Sequence, residues 1–186
     1  MAFHDDYPHV LLLGGARSGK SGYAEHLSVA SGLERVYIAT AEAGDGEMSE
    51  RIRLHRDRRG DGWQTIEDPL VLADIIAAEA SPSRVLLVDC LTLWLSNHMF
   101  AKSDIARETA RLRDALKGAR SPVLLVSNEV GLGIVPDNAL ARRFRDAAGR
   151  LHQALAGDMD CVLFFVAGLP MVVKPAPKIA GLELPQ

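Results

Sequence analysis

Short apolar runs recur along the chain, and longer stretches with helical character separate them. The first run is residues 10–13, and the segment after it carries apolar and small residues at the spacing of a helix face, through Tyr23, Ala24, Leu27, Val29 and Ala30. Further runs are residues 35–39, 84–89, 122–127 and 161–166, and the alternating residues 63–66 form a possible edge strand. Apolar strands that alternate with helices are typical of a mostly parallel sheet covered on both faces. The pattern therefore predicts an α/β protein.

The stretches between these runs predict the remaining helices. They cover residues 47–59, 70–80, from the end of the 84–89 run to about 119, and 138–156. Gly60 ends the first of them, and Pro82 breaks the second, which Asp68 and Pro69 begin as cap and first-turn residue. Residues 161–166 are expected to be the strand that closes the sheet.

The organisation of the chain is that of one domain. Residues 1–174 are interpreted as a single nucleotide-binding domain, since there is no internal repeat and no linker long enough to divide them. Residues 175–186 are rich in proline and glycine, with Pro175, Pro177, Gly181 and Pro185. They are expected to be an extended or disordered tail, or else a segment that packs on a neighbouring subunit.

The strongest motif follows the first apolar run. It fits the phosphate-loop pattern G-x-x-x-x-G-K-[S/T] at every fixed position, as Gly14, Gly15, Ala16, Arg17, Ser18, Gly19, Lys20 and Ser21. A strand, a glycine-rich loop and a helix place successive backbone N–H groups and a helix N-terminus around bound phosphates. Lys20 is expected to reach the β- and γ-phosphates, and the Ser21 hydroxyl to contact Mg²⁺. The motif predicts binding of a nucleoside triphosphate.

Composition excludes several classes of function. The 186 residues include 21 Lys and Arg against 24 Asp and Glu, a formal net charge of −3, so no global basic field favours nucleic acid. No apolar run is long enough to span a bilayer, and residues 1–9 have neither the basic nor the apolar region of a signal peptide. Cys90 and Cys161 lie in or beside strand-like runs and are interpreted as buried free thiols. We expect a cytoplasmic protein.

Asp89 ends a run of four aliphatic residues. In a phosphate-loop fold this is where an acid holds Mg²⁺, directly or through water. The alternative is an aspartate that caps the following helix. The metal role is favoured because the phosphate-loop motif is already present.

His55 is the second candidate for chemistry. On a helix, Arg51 and Arg59 lie one turn on either side of it, and Arg58 lies three positions on. These charges would bind a triphosphate and disfavour the imidazolium form, and a neutral imidazole is what attack on phosphorus needs. A plain solvated face is the alternative, and the residues alone do not decide between the two.

Two further loops follow strand ends, where ligands bind in open α/β sheets: residues 40–46 and 128–136. Glu129, in the second loop, is a candidate base, metal ligand or loop-ordering hydrogen-bond acceptor, and the sequence does not rank these roles. The weaker candidates are histidines without partner spacing and charged residues of the last helix, which are more typical of surface pairs or of an arginine supplied across a subunit interface. They are His4, His9, His26, His98, Arg143, Arg145 and Asp146.

Taken together, these segments resemble a known family, the bifunctional adenosylcobinamide kinases and adenosylcobinamide-phosphate guanylyltransferases of cobalamin biosynthesis. The resemblance runs from about residue 10 to 174. Its most specific part is Asn128-Glu129-Val130-Gly131-Leu132-Gly133-Ile134-Val135-Pro136. The other matching parts are the phosphate loop and residues 37–40, 47–48, 51–52, 55–56, 63–67, 88–92, 97 and 143–150. The chain has His152-Gln153 where many relatives carry Asn-Gln.

The resemblance implies a RecA-like phosphate-loop NTPase core, assembly as a homotrimer and two reactions. A nucleoside triphosphate, ATP or GTP, phosphorylates adenosylcobinamide in the presence of Mg²⁺. GTP then guanylylates a histidine, and the GMP passes to adenosylcobinamide phosphate to give adenosylcobinamide-GDP. His55 stands at the position of the covalent histidine, beside Lys20 as the other catalytic residue, and residues 41–62 are expected to move on binding. The nucleotide contacts implied are residues 14–21, Thr40, Ala41, Glu42, Arg56, Glu67 and Asp89, with Ser21 and Asp89 as metal ligands.

Two alternatives stay in view. One is a monofunctional small-molecule or nucleotide kinase in which His55 takes no part. The other is a nucleotide-gated regulatory or assembly module built on the same core.

Overall fold

The computed structural model describes residues 7–41 and 59–175. Seven strands are found there: β1 His9–Gly14, β2 Glu34–Ala39, β3 Trp63–Glu67, β4 Arg84–Asp89, β5 Val123–Asn128, β6 Cys161–Val166 and β7 Leu169–Lys174. Five helices accompany them: α1 Lys20–Ala30, α2 Leu72–Glu79, α3 Leu91–Phe100, α4 Ile105–Gly118 and α5 Ala139–Asp158. The alternating α/β pattern read from the sequence is confirmed.

All seven strands form one sheet in the order β3-β2-β4-β5-β1-β6-β7. The pairings are parallel except that of β6 with β7. Residues 63–66, read as a possible edge strand, do form the edge strand β3. Strand β5 lies between β1 and β4, with Gly14 beside Asn128 and Asp89 beside Val126. The carboxyl ends of the four central strands therefore meet at one edge of the sheet.

Helices cover both faces of this sheet. On one face, α2, α3, α4 and α5 pack over a buried cluster that includes Trp94, Leu112 and Leu151. On the other face, α1 packs through Ala24 and Leu27 over a smaller cluster. The central strands are buried on both sides, which is why their sequences are apolar without alternation.

The prediction of one long helix after β4 is wrong, because this stretch forms two helices, α3 and α4. The helical conformation is interrupted at residues 101–104, where Lys102 has a positive φ of 57°. Asp104 then caps α4 by accepting a hydrogen bond from the Arg107 N–H at 3.1 Å. The sequence contained this signal, since aspartate before a helical stretch is a preferred cap.

The second helix also begins later than predicted. Asp68 does bind backbone N–H groups, those of Leu70 and Val71, each at 2.8 Å. These bonds shape a turn, and the helix itself begins at Leu72.

Contrary to the sequence prediction, residues 161–166 do not form the last strand of the sheet, because a further strand, β7, pairs with them and forms the edge. A two-residue turn, Ala167 and Gly168 with φ of 53° and 83°, folds the chain back on β6. Positive φ at both central residues is the geometry that suits a tight hairpin. Gly168 in this turn and the neighbouring valines Val172 and Val173 in the run after it were the available signals.

The helix predicted over residues 47–59 lies outside the described residues except for Arg59, and the tail predicted from residue 175 lies outside them after Pro175. None of the helices in the described part of the chain is long and apolar enough to cross a membrane.

Candidate functional site

The phosphate loop connects β1 to α1, as the motif predicted. Gly14 has a φ of 148°, and a Cβ placed there would lie 2.6 Å from the Phe165 carbonyl oxygen and 2.9 Å from Ser18 Oγ. Gly19, with a φ of 100°, occupies the cap position of α1. A side chain at Gly14 would collide with its neighbours, so the motif's first glycine is required by local packing.

Lys20 is folded back over this loop. Its ammonium group donates to the carbonyl oxygens of Gly14 at 2.9 Å and Gly15 at 2.7 Å and to Ser18 Oγ at 3.3 Å. The side chain is almost fully buried. Burial lowers the pKa of Lys20, and attraction to Asp89 acts in the opposite direction. The lysine is thus held within the loop, at the place where the motif requires a positive charge next to phosphate.

The β6–β7 turn supports the same loop from behind. The Gly168 N–H donates to the Ser18 carbonyl oxygen at 3.1 Å. A Cβ on Gly19 would lie 3.1 Å from the Gly168 Cα. The hairpin that the sequence interpretation missed therefore contacts the site directly.

Asp89 lies at the carboxyl end of β4, beside Ala39 of β2. Its carboxylate lies near the Tyr37 phenol, while Oδ2 is buried and has no partner among the described residues. Burial and the adjacent carboxylate both raise the pKa of Tyr37, so the phenol stays a donor. The Arg59 guanidinium carbon stacks 3.4 Å from the centre of the Tyr37 ring.

Thr40 and Ala41 follow β2 at the same edge. The Thr40 hydroxyl donates to the Cys90 carbonyl oxygen at 2.7 Å and accepts from the Cys90 N–H at 2.9 Å. Asn97 donates to the Thr40 carbonyl oxygen at 2.8 Å. Thr40 is fully buried, so its side chain ties β2 to β4, and Ala41 is only partly buried. Burial raises the pKa of the Cys90 thiol to about 11, which keeps that free thiol neutral.

The other predicted nucleotide contacts differ in how close they lie to the phosphate loop and Asp89. Glu67 ends β3 and is exposed, two strands away from Asp89. Ser21 is partly buried in the first turn of α1, next to Lys20. Glu42, His55 and Arg56 lie outside the described residues, so their roles stay predictions.

The loop after β5 is fastened to the phosphate loop. The Glu129 N–H donates to the Gly14 carbonyl oxygen at 2.9 Å. One carboxylate oxygen of Glu129, Oε1, accepts from the Gly131 N–H. Arg145, from α5, donates to the Gly131 carbonyl oxygen at 2.9 Å. Of the three roles left open for Glu129, loop ordering is the one that these contacts support, and Arg145 anchors a loop of its own chain.

His152, which the sequence marked only as a departure from the relatives, lies beside the site, and its contacts were not predicted. It lies in α5, almost fully buried, with Nε2 at 2.8 Å from Ser127 Oγ and Nδ1 at 3.7 Å from Glu129 Oε2. Burial lowers its pKa, and the Glu129 carboxylate acts in the opposite direction. Its position in an apolar helix face was the available signal, since a polar side chain there needs a partner.

Residues that could hold a metal ion are sparse. No group of three or more His, Cys, Asp or Glu side chains with suitable geometry occurs in residues 7–41 and 59–175. The unpartnered buried Oδ2 of Asp89 is nonetheless an oxygen ligand of the type that Mg²⁺ uses, and Mg²⁺ commonly binds through one or two protein oxygens plus substrate phosphates. Asp89 thus fits such an ion, and Ser21, in the first turn of α1, is the other oxygen ligand that the motif predicts.

Comparison with known proteins identifies the family. The sequence model of the family described as cobinamide kinase / cobinamide phosphate guanyltransferase matches residues 10–173. The chain belongs to this family. The match spans every described strand from β2 to β6 and both loops that carry the site, and it confirms the resemblance read from the sequence.

Named relatives of this family are similar over nearly the whole chain. The bifunctional adenosylcobalamin biosynthesis protein CobP of Pseudomonas aeruginosa is 52% identical over 169 residues, which is 90% of this chain and 98% of that protein. The bifunctional adenosylcobalamin biosynthesis protein CobU of Escherichia coli is 38% identical over 180 residues, 89% of this chain and 99% of that protein.

Solved structures with a similar fold are far more distant in sequence. The flagellar accessory protein FlaH of Methanocaldococcus jannaschii superposes with a TM-score of 0.51 at 9% identity, covering 91% of this chain and 79% of that one. The RadB recombinase superposes with a TM-score of 0.50 at 14% identity, covering 84% and 73%. These likenesses concern the fold alone, and they agree with a RecA-like phosphate-loop core.

Proposed function

We propose that this protein phosphorylates adenosylcobinamide with a nucleoside triphosphate and then transfers GMP from GTP to adenosylcobinamide phosphate, giving adenosylcobinamide-GDP. The observation that carries the proposal is the family match across residues 10–173, over a chain whose phosphate loop has the required geometry. Relatives named as bifunctional in adenosylcobalamin biosynthesis support both activities in one chain.

In the kinase reaction, the substrate hydroxyl attacks the γ-phosphorus and gives up its proton to solvent, while the bond to the β-phosphate bridging oxygen breaks and the diphosphate leaves. Lys20 supplies fixed positive charge beside the phosphates, and the backbone N–H groups of the loop and of α1 orient them. Asp89 and Ser21 would hold Mg²⁺, which when bound neutralises charge on the phosphate oxygens. The nucleotide for this step is ATP or GTP.

In the guanylyl reaction, an imidazole nitrogen of His55 attacks the α-phosphorus of GTP, and pyrophosphate leaves. A phosphate oxygen of adenosylcobinamide phosphate then displaces the histidine from the GMP phosphorus. The placement of Arg59 supports this role. Arg59 stacks on Tyr37, whose phenol lies near Asp89, and four residues span at most about 14 Å. The chain length therefore allows His55 to reach the nucleotide.

The remaining parts of the proposal concern contacts and assembly. Gly14 to Ser21, Ala41, Glu42, Arg56, Glu67 and Asp89 contact the nucleotide, with Thr40 contributing through its backbone because its hydroxyl is bound to Cys90. The protein acts in the cytoplasm as a homotrimer, and residues 1–174 form its single domain.

The test is a reaction of the purified protein with adenosylcobinamide, ATP or GTP, and Mg²⁺, followed by mass spectrometry of the corrinoid. We expect adenosylcobinamide phosphate first and adenosylcobinamide-GDP when GTP is present. Formation of the phosphate alone would reduce the protein to a monofunctional kinase. No change in the corrinoid would leave only the non-enzymatic class.

A further inference from the structure

A chain of hydroxyl and imidazole groups runs beneath the phosphate loop. Thr92, at the start of α3, lies 3.2 Å from Ser127 at the end of β5, counted between their hydroxyl oxygens. Ser127 lies 2.8 Å from His152 Nε2, and His152 Nδ1 lies 3.7 Å from Glu129 Oε2. The chain therefore connects α3, β5 and α5 to a carboxylate beside the site.

The carboxylate fixes the direction of these hydrogen bonds. Glu129 favours a proton on the nitrogen that faces it, Nδ1 of His152. Nε2 of the neutral ring is then an acceptor, so the Ser127 hydroxyl donates to it and the Thr92 hydroxyl donates to Ser127. Thr92 Oγ1 is left to accept, and it accepts from the Asn128 N–H at 2.7 Å. The two hydroxyls and Nε2 are satisfied in this arrangement, and the Nδ1–H of that tautomer faces the Glu129 carboxylate at 3.7 Å, as an electrostatic contact longer than a hydrogen bond.

The far end of the chain reaches the lysine of the phosphate loop. Glu129 donates its own N–H to the Gly14 carbonyl oxygen at 2.9 Å, and Lys20 donates to the same oxygen at 2.9 Å. A shift of Glu129 would therefore move an oxygen that positions the Lys20 ammonium group. The contact of Oε1 with Gly131 keeps the carboxylate turned back onto its own loop, where Oε2 faces His152.

We propose that His152 is a positioning residue for triphosphate turnover: its Nε2 is anchored by Ser127, and its Nδ1 attracts the Glu129 carboxylate electrostatically, so that the Gly14 carbonyl oxygen and Lys20 keep their places. The inference deepens the proposed function and rests on it, since its readout is nucleotide turnover. The two ring nitrogens have separate roles: Nε2 fixes the ring against Ser127, and Nδ1 orients the loop through Glu129.

Two substitutions test the roles of Nδ1 and Nε2 separately. The amide nitrogen of asparagine falls near the position of histidine Nδ1, and that of glutamine near the position of Nε2. His152→Asn retains a donor towards Glu129, and His152→Gln retains a polar group towards Ser127. We expect His152→Gln to lower kcat about tenfold with little change in KM or thermal stability. His152→Asn is expected to keep kcat within about threefold while losing thermal stability, because Ser127 loses its partner.

A matched control is available in His98. This histidine is as deeply buried as His152 and also contacts a hydroxyl and a carbonyl oxygen, Ser103 Oγ at 2.9 Å and the Leu70 oxygen at 3.1 Å. Neither partner belongs to the phosphate loop. His98→Asn and His98→Gln are expected to alter the melting temperature and to leave kcat and KM unchanged.

The experiment measures kcat and KM for the triphosphate, and melting temperature, in all four variants and the unsubstituted protein. A turnover loss confined to His152→Gln, and no further loss when Glu129→Gln is added to it, supports the proposal. Equal losses in both His152 variants, no loss in either, or losses that follow melting temperature as in the His98 variants overturn it. If a His152 variant does not fold, Glu129→Gln alone decides: it should lower kcat about tenfold, and unchanged kcat overturns the inference. Absence of turnover in the unsubstituted protein would instead be a failure of the proposed function.

Discussion

The guanidinium carbon of Arg59 lies 3.4 Å from the centre of the Tyr37 ring, and the Asp89 carboxylate lies near enough to that phenol to raise its pKa. This relationship links the segment before Arg59, which contains His55, to the carboxyl end of β4. Arg59 was read from the sequence as one member of a cluster around His55. In the fold its side chain packs inward, so the plain solvated face does not describe this member of the cluster.

Removal of the loop lysine is expected to abolish triphosphate use. Lys20→Ala should lower kcat/KM for the nucleotide about 100-fold or more, because no other described cation is held at the Gly14 and Gly15 carbonyl oxygens. Turnover of labelled triphosphate measures this. Lys117→Ala is the control, since Lys117 is largely exposed and lies 4.0 Å from Asp114 on the surface. Equal activity of the two variants would contradict the role of Lys20.

Asp89→Asn tests the proposed metal contact. The substitution keeps the shape of the side chain and removes the charge on the unpartnered Oδ2, so the Mg²⁺ concentration for half-maximal turnover should rise about 10-fold or more. A titration of turnover with MgCl₂ gives this value. Asp114→Asn, at an exposed position of α4, should leave the titration unchanged. An identical curve for Asp89→Asn would remove Asp89 from the metal site.

Gly14→Ala and Gly149→Ala form a pair with opposite expected signs. A Cβ at Gly14 meets two atoms closer than 3.0 Å in a backbone conformation with positive φ, so the free energy of unfolding should fall by about 2 kcal/mol or more. Gly149 lies within α5 with open space around its Cα, so alanine there should raise stability by about 0.5–1 kcal/mol. Urea denaturation measures both, and a stability gain at position 14 would contradict the described loop.

Much of the fold could be predicted from the sequence because the central strands are buried on both faces and so read as continuous apolar runs. The β4 strand and β6 strand were found with the bounds that the structure gives them. β7 was missed because its run contains Pro170 and lacks alternation: the outward residues Leu169, Met171 and Val173, which are exposed, are as apolar as the inward ones. The turn before it is short, and proline within a run argues against a strand.

The site was only partly predictable, for a different reason. The phosphate loop is local in sequence, so a motif can identify it. The contacts of Glu129 and His152 join residues 23 positions apart, and helix α5 brings them together only after the sheet has formed. Thr40 was expected to contact nucleotide, yet its side chain is bound to Cys90, a pairing across 50 residues that no pattern in the chain indicates.

Acid should destabilise the protein partly through His152. Burial lowers its pKa in the folded state below the unfolded value of about 6.5, with the nearby Glu129 carboxylate reducing the effect. The unfolded state therefore binds the proton first, and stability falls as the pH decreases below about 6.5, by at most about 1.4 kcal/mol per pH unit for one group. Unfolding free energies between pH 7 and 5 should fall less steeply in His152→Asn. Parallel curves for the two proteins would contradict this origin.

The most direct test of the account is transfer of a labelled guanylyl group to the protein. Incubation with GTP labelled at the α-phosphate should give a protein-bound label that is stable in base and lost in acid, as a phosphorus–nitrogen bond to histidine requires. GTP labelled at the γ-phosphate should give none. His26→Ala, at an exposed position of α1, should label like the unsubstituted protein, whereas His55→Ala should not label. A protein that takes up no α-label, or a His55→Ala variant that still does, would contradict the proposed histidine intermediate.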